Sequence, residues 1–283
     1  NNDVDMPEMN VFVKDPSFYN FELIKKDKDT NERMNNVRFT ITTLGPDGKE
    51  VDLVDVNTLE KIIDGKLMTK NVDGVDGVLQ IPNILVEKTG TYTFIFHEES
   101  TDGIFDVLYK SWAEDVRVEV QISVVDGKYV VSTPKISTGS KYVEQVQTTT
   151  TKAQTAKVEV LNERIKGSYN LTLNKLDSYT RKKLDGAEFN IAVEKDGKSY
   201  QLYESTDDVT SKNVIIPNSY VVENGELTIE NSRIERPEEY TIILTETKAP
   251  KGYMLLDNPI KVRVRTTRSG VADDEKYILE TAD

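Results

Sequence analysis

The sequence predicts an all-β chain folded as two tandem β-sandwiches, on three observations. Short segments rich in Val, Ile, Thr, Tyr and Phe alternate apolar with polar residues along the whole length. The turns between them, "GPDGK", "VDGK" and "KDGK", carry the Asp-Gly pair that supplies the positive φ of tight hairpins. The plan of the first half recurs in the second. A chain of 283 residues, 37% of them hydrophobic, is long enough for two domains with separate cores.

The strand segments follow in order. "NVRFTITTLGPDGKEV", "GTYTFIFHEE" and "VRVEVQISVVDGKYVVS" read as strands and hairpins of the first half. "VNTLEKIIDGKLM", residues 56 to 68, is the one helical candidate. The stretch 146 to 157, "VQTTTTKAQTAK", is polar and Thr-rich, and "NERIKGS", residues 162 to 168, reads as a connector. The boundary falls there, giving domains 1–166 and 167–283. "AEFNIAVEKDGKSYQLY", "YTIILTE" and "IKVRVRTT" are strands of the second domain, and residues 213 to 222 read as loop.

Composition excludes several classes of function. A net charge of −13 argues against a nucleic-acid partner, which needs clustered Lys and Arg. No apolar run is long enough to span a bilayer. With no cysteine and one histidine, His97, neither a zinc site nor His-based catalysis is expected, nor is any other metal or cofactor. "DKDTNE" from Asp27 alternates oxygen ligands but lacks the glycine and terminal glutamate of a calcium loop. Neither a signal peptide nor a sortase-type tail is seen, which reads as a trimmed mature fragment.

The repeat carries the chemistry. "FELIKKD" (21 to 27) matches "LTLNKLD" (171 to 177), and "GTYTFIFHEE" (90 to 99) matches "EYTIILTET" (239 to 247). The spacing from Lys25 to Glu98 is 73 residues and from Lys175 to Glu246 is 71. Side chains alternate across a strand, so Phe21, Leu23 and Lys25 share one face, as do Leu171, Leu173 and Lys175. Glu98 shares a face with Tyr92, Phe94 and Phe96; Glu246 with Tyr240, Ile242 and Leu244; Asn162 with Val158 and Val160. Taken singly, each polar residue reads as a solvated strand end or turn. Together they point a lysine, a glutamate and an asparagine inward. Burial drives a lysine toward neutral amine and a glutamate toward neutral acid. A neutral amine beside a carboxamide can attack it and expel ammonia, leaving an amide cross-link.

"LTLNKLDSYTRKKLDGAEFNI" followed by "TETKAPKGY" resembles the Cna B-type domains of Gram-positive surface proteins, over residues 168 to 283. "GTYTFIFHEES" and "VEVLNERIKG" resemble the isopeptide-containing domain of streptococcal-type major pilins. The resemblance implies two immunoglobulin-like sandwiches of a sortase-assembled pilus backbone subunit. It implies isopeptide bonds from Lys25 to Asn162 and from Lys175 to a last-strand acceptor, with Glu98 and Glu246 as proton relays. Asp283 is the acceptor candidate in the second domain, on the face of Tyr277, Leu279 and Thr281. The chain would then be no enzyme beyond its own cross-linking. It would sit in the cell wall, joined head-to-tail to neighbouring pilin subunits by a sortase. The usual "VYPK" motif is absent, so Lys157, Lys152 and Lys14 are the linkage candidates. The alternative is a surface adhesin or minor pilin binding a host ligand, with "TDGIFDVLYKSWAEDV" and Trp112 as its nearest feature. A glycosidase would need paired carboxylates in a cleft, which the turn-borne acids do not suggest.

Overall fold

A computed structural model describes residues 17–63, 66–99, 108–140, 148–150, 154–215 and 219–283. The first half forms β1 (Phe18–Asp27), β2 (Arg38–Leu44), β3 (Lys66–Met68), β4 (Lys70–Val72), β5 (Val75–Leu85) and β6 (Gly90–Glu98). It continues with β7 (Val116–Val125), β8 (Lys128–Val131), β9 (Lys135–Ser137), β10 (Thr148–Thr150) and β11 (Thr155–Asn162). One sheet runs β10-β11-β1-β5-β4; the other runs β3-β2-β6-β7-β8, with β9 also on β7. β1 is the spine of its sheet. β11 pairs with it in parallel, Lys25 opposite Val160 and Asp27 opposite Asn162, and β5 pairs antiparallel on its other edge.

Period-two alternation builds the core between these sheets. Tyr19, Phe21 and Leu23 of β1 meet Phe94 and Phe96 of β6, Val118 and Val120 of β7, and Val158 and Val160 of β11, all buried. Phe21 stacks on Phe94 and Phe96 at centroid distances of 4.5 and 5.4 Å. Each such side chain contributes about 1.5–3 kcal/mol by leaving water. At the end of this stack Gly77 of β5 has a φ of 70°, and a Cβ there would press on the Lys25 carbonyl oxygen at 2.7 Å.

The second half forms β12 (Ser168–Asn174), β13 (Glu188–Lys195), β14 (Lys198–Ser199), β15 (Tyr220–Val221), β16 (Glu226–Arg233), β17 (Glu239–Lys248), β18 (Ile260–Ser269) and β19 (Lys276–Ala282). Its sheets are β12-β16 and β14-β13-β17-β18-β19, with β15 on β13. Tyr169, Phe189, Ile191, Ile229, Ile242, Leu244 and Val264 fill its core. Strand for strand, β12, β13, β16, β17 and β18 repeat β1, β2, β5, β6 and β7. The chain is thus an all-β pair of sandwiches in tandem. The repeat is incomplete: among the described strands β12 pairs only with β16, with β19 lying beside it, whereas β1 also pairs with β11.

Residues 163–167 connect the two. Lys166 pairs with Asp29, and the Tyr277 amide donates to the Lys166 carbonyl oxygen at 2.9 Å. A side chain at Gly167 would collide with the Tyr277 backbone. Lys110 Nζ donates to the Asp273 carbonyl oxygen and the Ser111 amide to Glu275, so the 109–112 segment touches the β18–β19 turn.

Two sequence expectations are corrected. Residues 56 to 68 are not a helix. The Asp55 carboxylate accepts the amides of Asn57 and Thr58, Leu59 takes a left-handed φ of 58°, and Lys61 bridges back to Val54 before β3 begins. This local capping by the aspartate competes with the helix and wins. The 213–222 loop contains β15, which pairs with Glu188 and Phe189, and Val214 bridges to Tyr203.

Candidate functional site

The three strands that line the first core all end in a polar residue at the same end. On β1 the inward series Phe21, Leu23 ends in Lys25; on β6 Tyr92, Phe94, Phe96 ends in Glu98; on β11 Ala156, Val158, Val160 ends in Asn162. The parallel β1–β11 register offsets Lys25 and Asn162 by two residues, which brings their side chains together. Lys25 Nζ donates to Asn162 Oδ1 at 2.6 Å, and Asn162 Nδ2 donates to Glu98 Oε1 at 2.6 Å. Lys25 Nζ also stands 2.6 Å from Glu98 Oε2 in an ion pair, off the hydrogen-bond axis, so that oxygen holds no aligned donor.

Lys25 and Asn162 are fully buried. Burial lowers the Lys25 pKa to about 8, with the Glu98 carboxylate opposing that fall. An appreciable fraction of neutral amine is therefore present near neutral pH. A cleft of about 410 Å³, lined by Glu98, Trp112, His97 and Tyr109 among others, opens beside the triad and gives protons and small products a route to solvent.

Two participants escaped the sequence reading. Trp112 lies against the site. Its indole N–H donates to Asn162 Oδ1 at 3.0 Å, and Lys25 Nζ sits over its ring at 4.2 Å. It places a donor on the oxygen that gains charge when the amide carbon is attacked. Its signal was present, as the only tryptophan of the chain, but nothing in the pattern said which way it faces. Asp27 is buried rather than a solvated turn. Desolvation raises its pKa, but the Tyr109 hydroxyl and the Arg164 guanidinium outweigh this and hold it below the usual carboxylate range. It braces the end of β1 two residues beyond Lys25.

The second domain reproduces half of this arrangement. Lys175 Nζ stands 2.8 Å from Glu246 Oε1, and the Leu256 amide donates to Glu246 Oε2 at 2.9 Å. Each lysine also lies 5.9 Å from the centre of a matching ring, Phe39 for Lys25 and Phe189 for Lys175. Asp283 is not brought to Lys175. It is exposed and pairs with Arg263 at 3.2 Å. Two facts explain this. β19 pairs with β18, not with β12, and a register shift opposite Arg265 and Thr266 breaks the alternation that grouped Asp283 with Tyr277. Among the described residues no Asn or Asp side chain bonds to Lys175.

Of the three candidate linkage lysines, Lys157 lies on β11 and pairs across the sheet with Glu22 at 2.8 Å. Lys14 and Lys152 lie outside the described residues.

The family model of the SpaA prealbumin-like fold domain matches residues 169–276, so the second sandwich is similar to domains of that type. No curated protein matches the chain. Among solved structures, a C-terminal fragment of the pilus adhesin SpaC from Lactobacillus rhamnosus GG is 16% identical, with 93% of this chain and 86% of that one covered and a TM-score of 0.39. The SpaE basal pilin of the same organism is 15% identical over 88% and 85%, at a TM-score of 0.35. A streptococcal ancillary pilin is 17% identical at a TM-score of 0.26; 87% of this chain aligns, and it spans 58% of that protein.

Proposed function

We propose that this chain is a structural subunit of a covalent cell-surface pilus, held by a self-made amide between Lys25 and Asn162. The observation that carries this reading is the buried Lys25–Glu98–Asn162 triad, in which each pair of side chains brings polar atoms to 2.6 Å. Glu98 takes the Lys25 proton, and the neutral amine attacks the Asn162 carboxamide carbon while Trp112 holds the oxygen. Glu98 then passes that proton to Nδ2 and takes up the second proton of the attacking nitrogen, the C–N bond breaks, ammonia leaves and Glu98 ends as the neutral acid. The product removes a buried charge, which makes the reaction thermodynamically favourable. The chain is its own catalyst and turns over nothing else.

A cysteine-free chain that locks the first and last strands of its first domain with an amide suits an extracellular fibre under tension, where reduction and unfolding both threaten. The SpaA-type second domain supports placement in the pilus of a Gram-positive cell wall. Polymerisation by a sortase onto a lysine of the next subunit completes the reading, with Lys157, Lys152 and Lys14 as the sites to test. Intact mass of the denatured protein tests the bond: loss of one ammonia lowers it by about 17 Da. Glu98→Ala restores the full mass. A parent protein at full mass would sink the cross-linking mechanism.

A further inference from the structure

The first domain's site depends on a segment outside the regular strands. Trp112, which donates to Asn162 Oδ1 and lies under Lys25 Nζ, sits in the irregular connection between residue 108 and β7. That connection is tied first to the linker between the domains. Tyr109 bridges Arg164, the Lys110 amide donates to the Glu163 carbonyl oxygen at 2.9 Å, and the Ile165 amide donates to that of Leu108 at 2.8 Å. The next amide, that of Ser111, crosses to the second domain and donates to Glu275 Oε2 at 2.9 Å. Strand pairing resumes at Val116, where β7 begins. The backbone one residue before Trp112 is thus held from the second domain.

The surface that holds it is itself fixed. Glu275 is 9% exposed and pairs with Arg268 of β18 at 2.6 Å. It closes the β18–β19 turn "SGVADDEK", residues 269 to 276. Gly270 takes a φ of 87° there, and a Cβ would collide with the Asp274 carbonyl oxygen, so the turn is tight. A single 3₁₀ turn, Ala272–Asp274, leads into Glu275. The same turn grips the first domain twice more. The Asp273 carbonyl oxygen accepts Lys110 Nζ at 3.0 Å, and its carboxylate accepts the buried Ser140 hydroxyl at 2.9 Å. Arg268 also lines the cleft beside the triad, together with Lys110, Ser111 and Trp112.

We infer that Glu275 is a positioning residue for the first-domain cross-link: the docked second domain holds the 109–112 segment so that the Trp112 indole N–H meets the Asn162 oxygen as the amide carbon is attacked. This rests on the cross-linking reading above and deepens it, because the reaction then depends on the neighbouring domain. Glu275 touches no reacting atom and acts through Ser111 and Trp112. A misplacement of about 1 Å in a group that stabilises the transition state costs about 100-fold in rate. A charge-assisted bond from a backbone amide to a buried carboxylate supplies the stiffness this demands. A first domain that folds before the second keeps Lys25, Glu98 and Asn162 together but leaves the Trp112 segment untethered on one side, and reacts slowly. Docking of the second domain completes the site. The cross-link therefore marks a chain in which both domains have folded and met.

The test uses the full chain, made by cell-free synthesis, with intact mass followed in time for the loss of about 17 Da. Glu275→Ala is expected to slow that loss at least about tenfold, up to the roughly 100-fold of Trp112→Phe. Glu275→Gln still offers an oxygen to the Ser111 amide and stays within about threefold of the parent. Lys110→Met removes a hold on the turn from the first-domain side, leaves every second-domain residue in place, and slows the loss in the same direction. The deciding comparison is the double variant. Because Glu275 acts through Trp112, Glu275→Ala adds less than about twofold on top of Trp112→Phe. A Glu275→Ala rate within about twofold of the parent overturns the proposal, as do effects of the two substitutions that multiply independently. So does a Glu275→Gln chain as slow as Glu275→Ala. A parent that never loses ammonia removes the cross-linking reading and this one with it. A parent that loses it beside an indifferent Glu275→Ala removes only this one.

Discussion

Asn162→Ala isolates the contribution of the cross-link to stability. The substitution removes the acceptor but keeps Lys25 beside Glu98, so no buried charge is left unpaired. Lys25 and Asn162 are 137 residues apart in sequence. Closing a loop of that length removes unfolded-state entropy worth about 5 kcal/mol at 25 °C, on the chain-entropy model used for disulfides. The indole N–H of Trp112 also loses its acceptor, at a cost of about 1–3 kcal/mol if it stays buried. For a domain of this size, 5 kcal/mol corresponds to a fall in melting temperature of about 10–20 °C. Calorimetry on parent and variant, each with its intact mass recorded, measures it. A parent that carries the ammonia deficit and a variant that melts within about 3 °C of it would refute the loop-closure reasoning.

Three further outcomes are expected. In the Asn162→Ala variant Lys25 remains a free amine with a pKa near 8, against 10.5 when unfolded. The unfolded chain then binds more protons between these values, so this group makes stability rise with pH across that window; urea midpoints at pH 7.5 and 9.5 check the direction. Trp112→Phe keeps a ring against Lys25 but removes the donor on Asn162 Oδ1, and should slow bond formation about 100-fold without preventing it. Time-resolved intact mass after cell-free synthesis reads this, and rates within a factor of two of the parent would remove Trp112 from the chemistry. Asp283→Ala should change neither the difference between measured and calculated intact mass nor the melting temperature, because its carboxylate is exposed and pairs with Arg263.

Much of the fold was legible because strand alternation is a local signal. Phe21, Leu23 and Lys25 could be placed on one face from spacing alone, and the same rule put Glu98 and Asn162 inward. The repeat then brought them together, since two copies of one plan imply that equivalent residues meet. The failures came where a local competitor broke the pattern. Asp55 captured the backbone amides that a helix from residue 56 would have needed. The register shift on β19 turned Asp283 away from the face that alternation assigned to it. Trp112 sits in an irregular segment without period, so its direction was set by Lys25 and Asn162 across the fold and not by its neighbours in sequence.

The placement of Lys25 and Asn162 at one end of parallel strands has a consequence for damage. With the amide formed, the covalent path from Phe18 to the second domain runs down β1, across the bond at residue 25 and out through residue 162. The 136 residues between them hang from that path as a closed loop. A protease that nicks the exposed Asp47–Gly48 turn opens the loop but severs nothing that joins the two ends. Two cuts there would release a fragment, yet the start of β1 would stay covalently joined to the second domain. A chain built this way keeps its two ends connected while its surface is attacked.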